Sequence, residues 1–267
     1  GLPVDGPTGR NVRDTALMLD AMTGMDVGDP LSLPGAHDHA DFQGMEAPVR
    51  VAYSPDLGVT PVESEVESIC RRAALRFEEL GTRVEEYGPD FGPAKEVFHL
   101  LRGFFFSGQF APMLEERRED FKPEIIWNVN QGLEATAREL TWAERERGSL
   151  YRRMVEFFAD YDLLLCPATV VPPFDVERRY VTEISGEPLD NYIDWFAITY
   201  VVTLTALPVL SLPCGFTEDG LPVGLQVIGP PRGEKRLLAW AAALEDVLGL
   251  ADLVPVGPTS PRDVGAV

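Results

Sequence analysis

Apolar positions along this chain recur at two spacings, and the segments that carry them alternate. Val12, Ala16, Leu19 and Met22 repeat at helical spacing, with Leu17 and Met18 widening the face, and Gly24 is placed to end that helix. Asp26 to Pro48 shows no period and is rich in Gly, Pro and Asp, which predicts a loop. Arg50 to Tyr53 reads as a short strand. Thr60-Pro61-Val62-Glu63 then spells a capping box, with Thr60 as cap and Pro61 at the first helical position. Behind it Val66, Ile69, Cys70, Ala73, Ala74, Phe77 and Leu80 form one apolar stripe. Gly81 stops that helix, and Thr82 to Tyr87 predicts a second strand. Strand, helix, strand is a unit that packs helices on a sheet.

From Gly92 to Tyr161 the pattern is helical and irregular. Leu100, Leu101, Phe104, Phe105 and Phe106 gather aromatic surface near Arg102, and core packing accounts for them by itself. Thr141-Trp142-Ala143-Glu144 reads as a second capping box, ahead of Leu150, Tyr151, Met154, Phe157 and Phe158. The run Leu163 to Cys166 is continuously apolar and stops at Pro167, as a strand covered on both faces would. Val170 to Leu189 predicts a loop, and Asp190 to Ala206 a helix capped by Asp190, with Tyr192, Trp195, Phe196 and Thr199 following. Pro208 closes it. Val209 to Leu212 is a short strand ending at Pro213, Glu218-Asp219-Gly220 a turn, and Leu221 to Ile228 the returning strand. A last helix starts near Arg232 and carries Leu237, Leu238, Trp240, Ala241, Leu244 and Leu248. The expected architecture is α/β, a mixed and largely buried sheet flanked by helices over residues 1–250, followed by a Pro/Gly-rich tail over 251–267.

Composition narrows what such a domain can bind. Forty-three acidic residues against 23 basic ones give a formal charge of −20, which argues against nucleic acid and anionic membrane surfaces as partners. The uncharged run Trp195 to Phe216 is long enough for a membrane span, but Pro208, Pro213, Gly215 and its threonines fit a buried helix and strand better. Gly1 to Arg10 lacks the apolar stretch of a signal peptide, so the expected compartment is the cytoplasm. Cys70, Cys166 and Cys214 show no paired spacing and are expected as free, mostly buried thiols, Cys70 as core on its helical stripe. His37-Asp38-His39 offers two candidate metal ligands without a third and reads as solvated loop, so neither metal nor cofactor is expected.

Three passages carry a family resemblance. Thr203 to Pro230, TLTALPVLSLPCGFTEDGLPVGLQVIGP, resembles the C-terminal signature of the amidase-signature hydrolases, of the type N-L-T-G-L-P-A-(I/V)-S-(V/L)-P-C-G-F followed by D-G-L-P-(V/I)-G-(L/V)-Q-(L/I)-I-G-P. Tyr161 to Thr169 is similar to that family's strand ending in P-(A/T)-T, and Gly6 to Gly24 to its V-x-D-A-A-L helix. The likeness covers nearly the whole chain and is weakest from Pro89 to Glu139.

The resemblance implies hydrolysis of a carboxamide to a carboxylate plus an amine or ammonia. It also implies a serine nucleophile deprotonated through a second serine and a lysine. The lysines are Lys95, Lys122 and Lys235, none in that context, and the sequence holds no Gly/Ser-rich segment of the kind that bears the serines. Ser211 is the strand serine of the signature and not the catalytic one. A Cys214 nucleophile with His99 as base finds no support for proximity in the sequence. This chain is therefore expected to supply sheet and pocket wall but no catalytic residue.

Residues expected to touch a small-molecule amide substrate are Phe105, Cys166, Thr199 and Thr203. By the resemblance the Phe-rich segment lines the acyl side. Cys166 stands at a strand end that faces the pocket in relatives, though burial beside that end explains it equally well. Thr203 and Ala206 replace the signature's usual Asn and Gly; Ala206 is a mild change, whereas Thr203 alters what the pocket can hydrogen-bond. Open sheet edges predict a second copy of the chain or a complementary N-terminal part as partner. The alternative is a non-catalytic remnant acting as a binding or oligomerisation module.

Overall fold

The computed structural model describes residues 2–35 and 37–250, so the tail expected over 251–267 lies outside it. Helix α1 (Val12–Met22) starts where the Asn11 side chain accepts the Asp14 N–H, 2.8 Å. Its first turn is also held from a distance, because the Val12 N–H donates to both carboxylate oxygens of Glu245 at 3.2 and 3.0 Å. Strand β1 (Arg50–Tyr53), helix α2 (Ser64–Leu75) and strand β2 (Arg83–Glu86) form the expected crossover unit, with β1 and β2 parallel. The stripe of α2 is buried as its spacing predicts, although a 3₁₀ turn over Arg76–Leu80 completes it before Gly81 turns left-handed at φ +82°.

The first capping box does not form. Residues 60–63 lie outside any helix, with Glu63 extended; its N–H donates to Val170 O at 2.9 Å, and the Thr60 hydroxyl turns to Pro61 O. A tertiary partner has taken the donor that the box would have used, and the helix begins three residues late.

Three helices follow: α3 (Ala94–Arg117), α4 (Pro123–Glu134) and α5 (Ala137–Phe157). The capping box of α5 is Thr136 with Glu139, not Thr141 with Glu144. The T-x-x-E pattern occurs twice, and the break at Ala135, φ −63° and ψ 130°, selects the earlier copy. Thr141 lies inside α5 and its hydroxyl donates to Ala137 O.

Strand β3 (Leu163–Pro167) is wholly buried and pairs in parallel with β1. The stretch expected as loop contains a small hairpin of β4 (Glu183–Ile184) and β5 (Glu187–Pro188), turned by Ser185 and Gly186, both at positive φ. The helix expected from Asp190 is a 3₁₀ turn over Asp194–Phe196 and then α6 (Ala197–Thr203), so Asp190 caps nothing. Strands β6 (Val209–Phe216) and β7 (Pro222–Ile228) form the antiparallel hairpin, and α7 (Glu234–Leu248) closes the described chain. β6 runs past Pro213 because it is an edge strand with a bulge between Pro213 and Gly215, a place where a missing N–H costs no ladder bond.

The sheet order is β2-β1-β3-β7-β6, three parallel strands and then the antiparallel hairpin. Strand alternation divides the core into two layers. Ala52, Leu164, Cys166 and Ile228 face α3, α5 and α6, while Val51, Leu163, Leu165, Leu225 and Val227 face α2 and α7. The edges differ: β2 carries an Arg83–Glu85 ion pair, whereas β6 exposes Val209 and Phe216.

The Pro208 junction carries a strain that the sequence reading missed. Ala206 sits at φ +52°, in the left-handed region that disfavours a Cβ. The signature's glycine suits that conformation and alanine does not, so this departure is not mild. Ala206→Gly is expected to stabilise the chain by about 0.5–1 kcal/mol, since relief of the left-handed strain exceeds the added freedom of the unfolded chain. Urea denaturation checks it, and a less stable variant would show the strain is absent.

Candidate functional site

The carboxyl end of β3 meets the amino half of α6 and the middle of β7, the kind of strand-end setting in which α/β sheets place ligands. One buried side chain joins them. Gln226 of β7 donates from Nε2 to Pro167 O at 3.1 Å and Ile198 O at 3.0 Å, with the Cys166 sulfur 3.2 Å away. The amide sits inside an otherwise apolar strand because it finds two backbone carbonyl acceptors there. Gln226→Met keeps the volume and removes both bonds, so a loss of about 2 kcal/mol is expected, read from thermal or urea unfolding. A neutral result would show those carbonyls paired by other means.

Beside this pin, α3 and α6 enclose a buried carboxylate. Asp194 has a side chain only 3% exposed; it accepts from the Tyr200 hydroxyl at 3.1 Å, meets His99 Nε2 at 3.1 Å, and lies 3.4 Å from Lys95 Nζ. Burial pushes its pKa up, but the His99 hydrogen bond, the Lys95 charge and the Tyr200 hydroxyl outweigh burial and hold it below the usual carboxylate value. Tyr200 is pushed the other way by burial and by the Asp194 charge. Its ring stacks on Phe98, centroids 4.1 Å apart, so the cluster also clamps α6 to α3. Local patterning gives little sign of it. The available signal is an acid between apolar residues in Tyr192-Ile193-Asp194-Trp195-Phe196, with Lys95 and His99 one helical turn apart on α3.

The expected contact residues are dispersed around this centre. Cys166 is fully buried, and burial pushes its thiol pKa up despite the Gln226 hydrogen bond, so it is not poised as a nucleophile. Thr199 is half-buried and its hydroxyl donates to Phe196 O; Thr203 is exposed one turn on, its hydroxyl 3.4 Å from Thr199 O. Phe105, 40% exposed, meets Phe106 edge-on farther along α3. Arg102 lies over the Phe106 ring and donates to Asn128 of α4. His99 and Cys214 belong to opposite faces of the sheet, the first with Asp194 and the second against α2, and form no nucleophile–base pair.

His39 departs from the solvated reading of its loop. It is buried, with Nδ1 2.7 Å from Asp20 Oδ1, and its own N–H and that of Ala40 donate to the same carboxylate. Burial raises the Asp20 pKa and these bonds lower it further than burial raises it. Among the described residues no group of three or more His, Cys, Asp or Glu side chains is placed to hold a metal ion. No helix there is long and apolar enough to cross a membrane. A cleft of about 240 Å³ opens between Ser54, Leu57, Val59, Gly88 and Phe91 at the ends of β1 and β2, away from α6.

Comparison with known proteins agrees with this architecture. An acylamidase of Rhodococcus erythropolis is 32% identical over 259 residues, covering 94% of this chain and 53% of the relative. An amidase of Pseudomonas putida is 30% identical over 246 residues, covering 90% of this chain and 52% of its own length. The crystal structure of a bacterial aryl acylamidase of the amidase-signature enzymes shares the fold, with a TM-score of 0.80 at 24% identity over 94% of this chain and 55% of that one. The chain thus spans about half the length of the curated relatives it matches. The amidase family profile matches residues 1–238, and on that match the chain belongs to the amidase-signature family.

Proposed function

We propose that this chain forms the sheet and substrate-pocket wall of an amidase that cleaves a carboxamide C–N bond, giving a carboxylate and an amine or ammonia. The observation that carries the reading is the family match over residues 1–238. In this reading the nucleophilic serine, its partner serine and the lysine belong to the remaining half of the amidase domain. The present residues hold the substrate. Thr203 offers an exposed hydroxyl at the end of α6, Thr199 lies one turn behind it, and Phe105 presents an apolar face to the acyl group. Cys166 backs the wall through Gln226. A wall of this kind favours reaction by fixing the amide carbonyl relative to the attacking oxygen, so its worth lies in rigidity.

Two surfaces fit the complementary half. Among the described residues the outer edge of β6 has no strand paired to it beside Val209 and Phe216, and α1 turns Leu17 and Met18 outward, 64% and 50% exposed. The test is amine or ammonia release from a panel of anilides and primary carboxamides, by the purified chain alone and after co-expression with the N-terminal half of an amidase-signature relative. Turnover only in the co-expressed pair is expected. Turnover by the chain alone would place a nucleophile within this sequence and overturn the reading. Neither turnover nor association would leave a non-catalytic module.

A further inference from the structure

The bulge in β6 does more than admit a proline. Register runs Pro213 opposite Gly224 and then Gly215 opposite Val223, so Cys214 is the extra residue without a ladder partner. A bulge re-aims the side chain it carries. Here the thiol turns toward α2, where Cys70 Sγ lies 3.9 Å from Cys214 Sγ. The adjacent glycine permits this approach, because a Cβ on Gly215 would fall 2.8 Å from Ile69 Cγ2 of α2. Cys70 is fully buried and close to Gly224 O, whereas Cys214 is 6% exposed on the strand that ends the sheet. The third thiol, Cys166, belongs to the other core layer and is held by Gln226. Two thiols in contact, one on a helix and one on a bulged edge strand, make a pair that a small movement of the edge can bring to bonding distance.

We propose that Cys70 and Cys214 are a redox-active dithiol that closes to a disulfide on reaction with a low-molecular-weight disulfide such as oxidised glutathione. The Cys214 thiolate attacks one sulfur of the oxidant, whose S–S bond breaks and releases the first glutathione thiolate. Cys70, deprotonated, then attacks the Cys214 sulfur of the mixed disulfide and expels the second. The two protons leave with the two glutathione thiols, so two electrons pass from the protein to the oxidant. Cys214 takes the first step because it is the less buried of the two and lies on the edge strand, whose opening exposes it; the neighbouring thiol and burial hold Cys70 largely protonated until its partner is activated. The product staples α2 to β6 across 144 residues of sequence and constrains the unfolded chain accordingly.

The experiment is incubation of the folded chain with oxidised glutathione, followed by thiol counting, peptide mapping and thermal unfolding with and without dithiothreitol. Expected are loss of two thiols, a linked Cys70–Cys214 peptide pair, retention of the Cys166 thiol, and a melting temperature about 5 °C or more higher in the oxidised form. Cys70→Ser should stop at the mixed disulfide on Cys214 and show no such rise. If Cys70→Ser does not fold, Cys70→Ala serves the same comparison, and the mapping of the parent chain stands without either. Three free thiols after prolonged exposure, or a link through Cys166 or between chains, overturns the proposal.

Discussion

Gly132→Ala is expected to destabilise the chain by about 3 kcal/mol or more, because relief requires backbone rather than side chains to move. Helices α3 and α4 cross where Gly103 faces Gly132. A Cβ on Gly132 would stand 1.9 Å from Gly103 O and 2.3 Å from its carbonyl carbon. No rotamer change relieves that contact, since both groups are main chain. Separating the helices would also weaken the Arg102–Asn128 bond that joins them and shift the Asn128 amide that donates to the Tyr192 hydroxyl, so the loss spreads through a buried polar link. Gly148→Ala is the control: it lies in α5 with only a flexible Arg152 atom 3.9 Å from the added carbon. There alanine is expected to stabilise by up to about 1 kcal/mol through helix propensity alone. Urea denaturation of both variants decides the matter. A Gly132→Ala cost below about 1 kcal/mol would mean that the helices do not cross at these glycines.

What the sequence made legible was what short-range pattern can encode. The β1–α2–β2 unit, the buried β3 and the β6–β7 hairpin follow from periodicity and turn residues, and the family resemblance rests on β3 and the hairpin together with α1. Helix starts were less legible. Thr60–Glu63 and Thr141–Glu144 satisfy the capping rule on paper, yet Val170 O takes the Glu63 donor and the break at Ala135 moves the second box to Thr136. Both outcomes depend on residues outside the motif. Glycines in α3 and α4 read from sequence only as weak helix formers, since the contact that needs them joins separate helices. The centre of the candidate site was illegible for the same reason. Asp194 finds Lys95 and His99 about a hundred residues away, and Cys70 finds Cys214 farther off still. Thr203 could be singled out only because the signature places a different residue there.

Asp194→Ala is expected to cost about 3 kcal/mol at neutral pH and Asp194→Asn about 2 kcal/mol, toward the lower end for a broken buried pair because Lys95 and His99 remain 33% and 26% exposed. Alanine leaves the Tyr200 hydroxyl without its acceptor. Asparagine can still accept from it but lacks the charge that Lys95 and His99 face. The pH dependence gives the sharper test. Because the folded chain holds the Asp194 carboxyl below its ordinary value of about 4, the folded state binds the proton less readily than the unfolded chain. The stability this contributes is fully present above the ordinary value and is lost as pH falls through the lower folded one. Asp20, Glu85 and Glu139 are shifted in the same direction, so the parent chain weakens in acid for several reasons at once. The quantity to measure is therefore the stability difference between parent and Asp194→Asn, by urea denaturation from pH 7 to the lowest pH at which both still fold. It should stay level down to about pH 4 and shrink below that. A difference that does not shrink would mean that Asp194 holds α3 and α6 by shape and hydrogen bonding, without its charge.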